Sequence, residues 1–373
     1  MFDLVKLSVL FQKLSNKVPA ILIRLIIFSY INQNCHVTWG GVRSSSFNIS
    51  NGVRQGAVAS PSLFNYYINA LFEELSSSGV GCRIDGLFFG AWGYADDIGL
   101  IAPSKEALQI MVNIAKDFFD LHGITISTHP DINKTKTKVL AFGVMNQPAT
   151  VFLGGIPLPY VGEWIHLGHL ITTDESFTLD MLLKKREFTG KVHNLRQEFG
   201  GLDPHVFIQL VKIYALHLYG CTLWDIYAEE ATQFWTAWHR LLEISFDLPL
   251  PTHRHLLSHL VSVDHPKKLV IKRFIKFSKI IETSTNPHLR LLHDYQSKDW
   301  RSTYGRNMMN ICRDSGANDI TEVDMTSIVI NPVPPGGEWR VNFLADILHE
   351  RDNNSGFLSE DEVLVMLNTV CCD

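Results

Sequence analysis

Two aspartates, Asp96 and Asp97, stand side by side in FFGAWGYADDIGLIA (Phe88 to Ala102), a run otherwise almost wholly apolar and aromatic. Adjacent carboxylates cannot both be buried and ionised without compensation, because each loses hydration and each repels the other. A divalent cation supplies that compensation. Hard oxygen donors suit Mg²⁺, which keeps waters and substrate phosphates in its shell. Two such ions about 3.5–4 Å apart can clamp the attacking and leaving oxygens of an in-line phosphoryl displacement. Taken alone, Tyr94-Ala95-Asp96-Asp97 also reads as an exposed turn with no chemistry, so its surroundings decide.

Placing both carboxylates at a chain reversal requires a hairpin, and Phe88 to Pro103 reads as two short strands around the pair. Upstream, Met1 to Asn32 reads as helical, with Pro19 where a first-turn proline belongs. PAILIRLIIFSYI (Pro19 to Ile31) carries Arg24 and is too short to span a bilayer, so it is expected to be a buried helix. His36 to Ile49 gives β-formers around Gly40 and Gly41, a hairpin signal. A glycine-containing loop then runs into a helix that Ser60 can cap, with Pro61 at its first position, ending near Ser76 to Gly79. Ser104 caps the helix after the aspartate hairpin, and Gly123 closes it. KVLAFG (138–143) and VFLGGIPL (151–158) read as further strands. This mixture of helices with antiparallel-type strands predicts an α+β class.

From about Thr178 the pattern turns helical. Helical stretches include LDMLLKKREFTGKVHNLRQEF, PHVFIQLVKIYALHLYG, ATQFWTAWHRLLEIS and PKKLVIKRFIKFSKIIET. NPVPPGGEW (Asn331 to Trp339) is a Pro/Gly linker, followed by two expected helices, Trp339 to Glu350 and Leu358 to Asn368.

Four blocks around the aspartates stand in a fixed order. They are NGVRQGAVASPSLFNYYI (Asn51 to Ile68), YADD, NKTKTKVLAFG (Asn133 to Gly143) and PYVGEWIHLGHLIT (Pro159 to Thr172). This set resembles the palm motifs of reverse transcriptases, most closely those of non-LTR (LINE-type) retrotransposons. The resemblance is dense from Phe2 to about Thr172 and looser beyond, through LRQEFG, YALHLYGCTLWD, LPLPTHRHLL and WRSTYGRNMMNI. It implies a polymerase palm over 1–175 with an antiparallel sheet and packed helices. A helical thumb over 176–250 and a C-terminal helical region over 251–373, with the linker near 331–337, would follow.

The resemblance also assigns roles. Asp96 and Asp97 would be metal ligands, for two Mg²⁺ ions or Mn²⁺ in their place. Phe2 matches the aromatic under the sugar of the incoming nucleotide. Gln55 and Gly56 would lie near that nucleotide and the templating base, where glycine permits close backbone approach. Lys136 belongs to the block whose lysine approaches the triphosphate and can neutralise the leaving pyrophosphate. The repeat Lys134-Thr135-Lys136-Thr137-Lys138 leaves open which lysine that is. Arg54, Tyr94, Leu167 and Gly168 fall to primer and template, the Leu167-Gly168 turn resembling a primer grip. A solvated loop accounts for Gln55 and the lysines equally well when each is taken alone. The implied partners are an RNA template, a DNA primer and deoxynucleoside triphosphates, with other retrotransposon domains outside this chain.

The sequence departs from the pattern in three places. Ala57 stands where a second glycine is common, and STHPDINKTKTK carries extra loop. The family's first metal-binding aspartate lies five positions before the aromatic matched by Phe2, ahead of this chain. Asp3 is six positions from that place, up to roughly 20 Å along an extended strand, and cannot simply substitute. With two of three carboxylates and no fingers, the chain alone is expected to have little polymerase activity. The alternative is a catalytically dead nucleic-acid-binding remnant.

The bulk properties narrow the classes. The chain has 373 residues, 46% hydrophobic and 19% charged, which excludes a disordered chain and allows two or three domains. A net charge of −5 argues against a uniformly basic coat but leaves room for a local basic channel. Lys268, Lys272, Lys276 and Lys279 share one helical face that could track a phosphate backbone, or could simply be solvated. The six cysteines form no CxxC pair, so they read as reduced thiols. His253, His255, His259 and His265 cluster loosely, as a zinc site might require, but lack a recognisable completing ligand. Trp224, Trp235 and Trp238 read as core. No signal peptide or membrane span is evident, so an intracellular protein, nuclear or cytoplasmic, is expected.

Overall fold

The first 32 residues break into three pieces: a 3₁₀ turn at Phe2–Leu4, helix α1 (Leu7–Ser15) and helix α2 (Ala20–Ile31). The computed structural model describes all residues except 1, 130, 132–133, 144–149, 175–177, 251, 262, 327, 336, 353–365 and 368–373. Two compact units divide the chain, Met1–Gly162 and Glu163–Asp373. The mixture of helices and short antiparallel strand pairs is α+β.

In the first unit, β1 (Asn34–Cys35) pairs with β4 (Phe47–Asn48), enclosing the hairpin of β2 (Thr38–Trp39) and β3 (Val42–Arg43). Gly40 and Gly41, both at positive φ, make the β2–β3 turn, as the sequence predicts. Helix α3 (Ser60–Ser77) follows, then the pairs β5 (Arg83–Ile84) with β6 (Leu87–Phe88) and β7 (Ala91–Tyr94) with β8 (Asp97–Leu100). Helix α4 (Lys105–His122) is capped by Ser104 Oγ, which accepts from the Ala107 N–H at 3.2 Å, and is closed by left-handed Gly123. The pair β9 (Phe152–Leu153) and β10 (Ile156–Pro157) ends the unit's regular structure. Leu10, Phe64, Tyr67, Leu71, Leu75 and Met111, from α1, α3 and α4, are fully buried in its core.

Three expectations for this unit fail. Ser60 does not cap α3; Ala59 occupies the N-cap without a side-chain bond, and the Ser60 hydroxyl is buried. KVLAFG forms no strand, because Val139 makes a single parallel bridge to Tyr160 and the ladder goes no further. Helix α2 is not buried. Ile21, Leu25, Phe28 and Ile31 are more than half exposed, and only Tyr30 is fully covered, meeting Phe11 of α1 edge-on. A helix apolar on every side satisfies its own backbone, but its composition does not say which sides find partners.

The second unit opens with the hairpin β11 (Glu163–His166) and β12 (His169–Thr172). Helices α5 (Thr178–Phe199), α6 (Pro204–Tyr214), α7 (Glu229–Ser245), α8 (Arg254–His259) and α9 (Pro266–Glu282) follow. Then come α10 (Pro287–Lys298), α11 (Thr303–Ser315) and α12 (Glu338–Asp352). Helix α6 stops at Tyr214, so ALHLYG leaves the helix expected for it. Trp224, Trp235 and Trp238 are buried, as their reading as core predicts. The expected helix Leu358 to Asn368 lies outside the described residues apart from Met366 and Leu367, and Cys371 and Cys372 lie outside them entirely. Among the described residues, no helix is long and apolar enough to cross a membrane.

Candidate active site

The two carboxylates sit at the tip of a four-pair hairpin. Strands β7 and β8 run antiparallel with Ala91 opposite Leu100 and Tyr94 opposite Asp97, leaving Ala95 and Asp96 as a two-residue turn. Ala95 has φ +52° while Asp96 keeps a negative φ, the pattern of a II′ turn, whose first position ordinarily takes glycine. A Cβ on Gly93 would lie 2.7 Å from the Phe72 ring of α3, so the hairpin sits directly on that helix. The Trp92 indole occupies the space beside its cross-strand partner Gly99. Packing therefore fixes the hairpin's base, while Tyr94, Asp96 and Asp97 are exposed at its tip.

The Arg54-Gln55-Gly56 loop is tied to the start of the chain. The Gly52 N–H donates to Val5 O at 2.8 Å and the Val53 N–H to Phe2 O at 3.0 Å. Gly52 has no room for a side chain, since a Cβ would lie 2.8 Å from the Asp3 Cα. Phe2 stacks on Phe64 of α3, ring centroids 4.4 Å apart and 15° from parallel. The Gln55 Nε2 donates to both Asp3 carboxylate oxygens at 3.1 Å. Arg54 turns back to donate to Ser29 O, its guanidinium over the Tyr30 ring at 5.4 Å. Phe2, Asp3, Arg54 and Gln55 are thus brought together. Gly56 has φ +80° with open space where its Cβ would be, so conformation and not crowding calls for glycine in the free protein.

In the lysine repeat, Thr135 is buried and the Thr137 hydroxyl donates to Ser127 O at 2.8 Å. Lys134 lies 4.0 Å from Asp131. Lys136 is exposed and has no ion pair among the described residues.

Leu167 and Gly168 form the turn between β11 and β12, with φ +49° and +79°, a I′ pattern. They belong to the second unit. Tyr219 Oη donates to Leu167 O at 3.0 Å, and the Tyr219 ring stacks on His169 at 5.2 Å. Asp180, fully buried, accepts from the Leu170 N–H at 3.2 Å and from Trp224 Nε1 at 3.0 Å. Sequence reasoning missed Asp180 and Tyr219. The pairing of an aromatic with glycine in both Gly168-His169 and Tyr219-Gly220 was the available signal.

Among the described residues no three His, Cys, Asp or Glu side chains, those of the histidine cluster included, group as a metal needs. His265 instead accepts the Lys267 N–H at its Nδ1, capping α9, and meets His239 Nε2 to Nε2 at 3.1 Å. Burial lowers the pKa of both imidazoles, to about 4 for His239 and about 3 for His265. The lysine stripe is partly neutralised. Lys272 and Lys268 lie 2.8 and 3.7 Å from Asp264, and the Lys272 bond holds that carboxyl below its usual range.

The donor chemistry of Asp96 and Asp97 fits a divalent cation in kind. Two exposed carboxylates can hold one Mg²⁺ that shares its shell with water and phosphate oxygens. Among the described residues no third carboxylate, Asp3 included, groups with the pair.

Residues 1–156 match the family described as reverse transcriptase (RNA-dependent DNA polymerase). The Retrovirus-related Pol polyprotein from type-2 retrotransposable element R2DM of Drosophila melanogaster is 26% identical over 140 residues, covering 34% of this chain. That stretch is 12% of the relative, so the chain spans a small part of the length of the protein it matches.

Proposed function

We propose that residues 1–156, which match the reverse transcriptase family, belong to a polymerase of the non-LTR retrotransposon kind, and that the chain contributes the palm and thumb of an RNA-directed DNA polymerase. The observation that carries this is the register Tyr94 opposite Asp97, which puts two adjacent carboxylates at the exposed tip of a hairpin seated on α3. The reaction would join a deoxynucleotide to a primer 3′-OH with pyrophosphate leaving. A divalent cation held by Asp96 and Asp97 would supply electrostatic stabilisation of the phosphoryl oxygens. Phe2, fixed by its stack on Phe64, would bear on the incoming sugar. Gln55 would meet the nucleotide after leaving Asp3, and Lys136, exposed and without an ion pair among the described residues, would counter charge on the pyrophosphate. Tyr94 would lie beside the primer end. The palm would run over 1–175 and the thumb over 176–250.

The test is primer extension by the purified chain on an RNA template with Mg²⁺ and deoxynucleoside triphosphates, beside anisotropy with the same primer–template. Extension lost in Asp96→Asn and Asp97→Asn supports the polymerase. Absence of both extension and primer–template binding overturns it. A second reading is a binding module without turnover. It predicts salt-dependent binding of the RNA–DNA duplex with no extension at any Mg²⁺ concentration.

A further inference from the structure

The turn Leu167-Gly168 and the segment Tyr219-Gly220 interlock through two missing side chains. A Cβ on Gly168 would come within 3.1 Å of the Tyr219 ring, and a Cβ on Gly220 would overlap the His169 ring. Each glycine vacates the space that the other segment's aromatic fills. The two aromatics stack, 16° from parallel. Gly220 has φ +72°, so both space and conformation demand glycine there.

Tyr219 acts on one chemical unit in particular. Leu167 O belongs to the central peptide of the two-residue turn, the unit whose rotation interconverts I′ and II′ geometries. Leucine at φ +49° costs roughly 1–2 kcal/mol, so the turn is not held by local preference. The Tyr219 hydroxyl, donating to that oxygen at 3.0 Å, fixes the peptide's orientation. In a trans peptide the Gly168 N–H then points the opposite way, away from Tyr219. Gly168 is exposed, so this donor is presented at the surface. Behind the turn the support is buried and hydrogen-bonded. Buried Asp180 accepts from Leu170 and Trp224, His169 Nδ1 lies 3.8 Å from the same carboxylate, and Arg273 donates to Leu218 O at 2.7 Å.

We infer that Tyr219 is a positioning residue: by pinning the Leu167–Gly168 peptide it sets the surface with which the turn grips a recessed primer end. This rests on the polymerase reading, which assigns the turn but nothing to Tyr219. The interlock joins the β11–β12 hairpin to the helical part of its own unit. The primer contact would therefore be set by a residue 52 positions downstream of Leu167.

The test compares two RNA–DNA hybrids of the same sequence, one with a recessed DNA 3′ end and one blunt, by anisotropy with wild type and Tyr219→Phe. The substitution keeps the ring and removes only the donor. Wild type is expected to prefer the recessed end, and Tyr219→Phe to reduce that preference about three- to tenfold, the worth of one hydrogen bond. Blunt-duplex affinity and Tm should change little, which separates positioning from loss of fold. Hydrogen exchange at the His169 amide, which closes the turn opposite His166, should quicken in the variant. A wild type that prefers the recessed end together with a variant that prefers it equally overturns the inference and leaves the polymerase reading standing. A wild type that binds neither hybrid overturns both.

Discussion

The Gln55 carboxamide donates to both carboxylate oxygens of Asp3, 3.1 Å each, across 52 residues of chain. The pair is exposed, so it adds little to stability, but it occupies the group that the polymerase reading assigns to the incoming nucleotide. A nucleotide that uses the Gln55 amide must first displace Asp3. Asp3→Ala removes the competitor. It is expected to leave the unfolding free energy within about 0.5 kcal/mol and to tighten deoxynucleotide binding about two- to fivefold. Equilibrium titration of both proteins with a labelled triphosphate measures this, and weaker binding by the variant would show that Asp3 assists the nucleotide.

Ala95 holds φ +52° at the turn that presents the carboxylates, a conformation that favours glycine. Ala95→Gly relieves the strain but gives the unfolded chain more freedom, and the two effects nearly cancel, within about 0.5 kcal/mol. Ala95→Val adds a β-branched side chain at positive φ and should lose about 1–2 kcal/mol. Urea denaturation checks both. If valine were tolerated as well as glycine, the turn would be free to change type.

Asn307 accounts for two sequence stretches that carry no evident chemistry. Fully buried on α11, it donates to Trp224 O at 2.7 Å and accepts the Ile226 N–H at 3.0 Å, 81 residues away. Beside it, Arg306 Nε and Nη2 donate to Asp225 Oδ2 at 3.0 and 2.9 Å. WRSTYGRNMMNI thus clamps the LWDI of the segment before α7. Asn307→Ala strands two buried backbone groups and should cost on the order of 2–4 kcal/mol. Arg306→Ala removes a partly exposed ion pair and should cost about 1 kcal/mol or less. Chemical denaturation of both variants tests the order, and an equal loss would contradict this division of labour.

Local chemistry in the sequence accounts for the features that came through. The two short strands around the aspartate pair, the Gly40-Gly41 turn, and the Ser104 and Gly123 caps of α4 each depend on residues within a few positions. What was not legible depends on partners far along the chain. The apolar run of α2 does not reveal that Leu25 and Phe28 lie uncovered. Val139 has the composition of a strand, but a strand needs a neighbour along its length, and only Tyr160 meets it. In the candidate site, Asp96, Asp97, Gln55 and Leu167 were readable as motifs. Of the residues that hold them in place, Phe72 and Asp180 have no period or local spacing that marks them, and Tyr219 has only its neighbour Gly220.

The His239–His265 pair predicts an acid-sensitive second unit. His265 Nδ1 accepts the Lys267 N–H, so the proton of neutral His265 sits on Nε2 and is donated to His239 Nε2. Asn331 Nδ2 also donates to that atom, at 3.3 Å, which places the proton of neutral His239 on Nδ1. A further proton on either ring breaks this arrangement and adds charge in a buried place beside the Arg254 and Lys267 cations. Both folded pKa values lie below the unfolded value of about 6.5, so below that pH the unfolded chain takes up protons that the folded chain refuses. The pair adds no pH dependence above about 6.5. Between there and about 4, stability falls as pH falls, on the order of 2 kcal/mol per imidazole by pH 5. Urea denaturation followed by tryptophan fluorescence at pH 7.5, 6 and 5 measures the slope. His239→Gln keeps an acceptor for the His265 N–H and removes one titrating group, so it should roughly halve the loss between pH 7.5 and 5. An unchanged pH profile in that variant would place the acid sensitivity elsewhere in the unit.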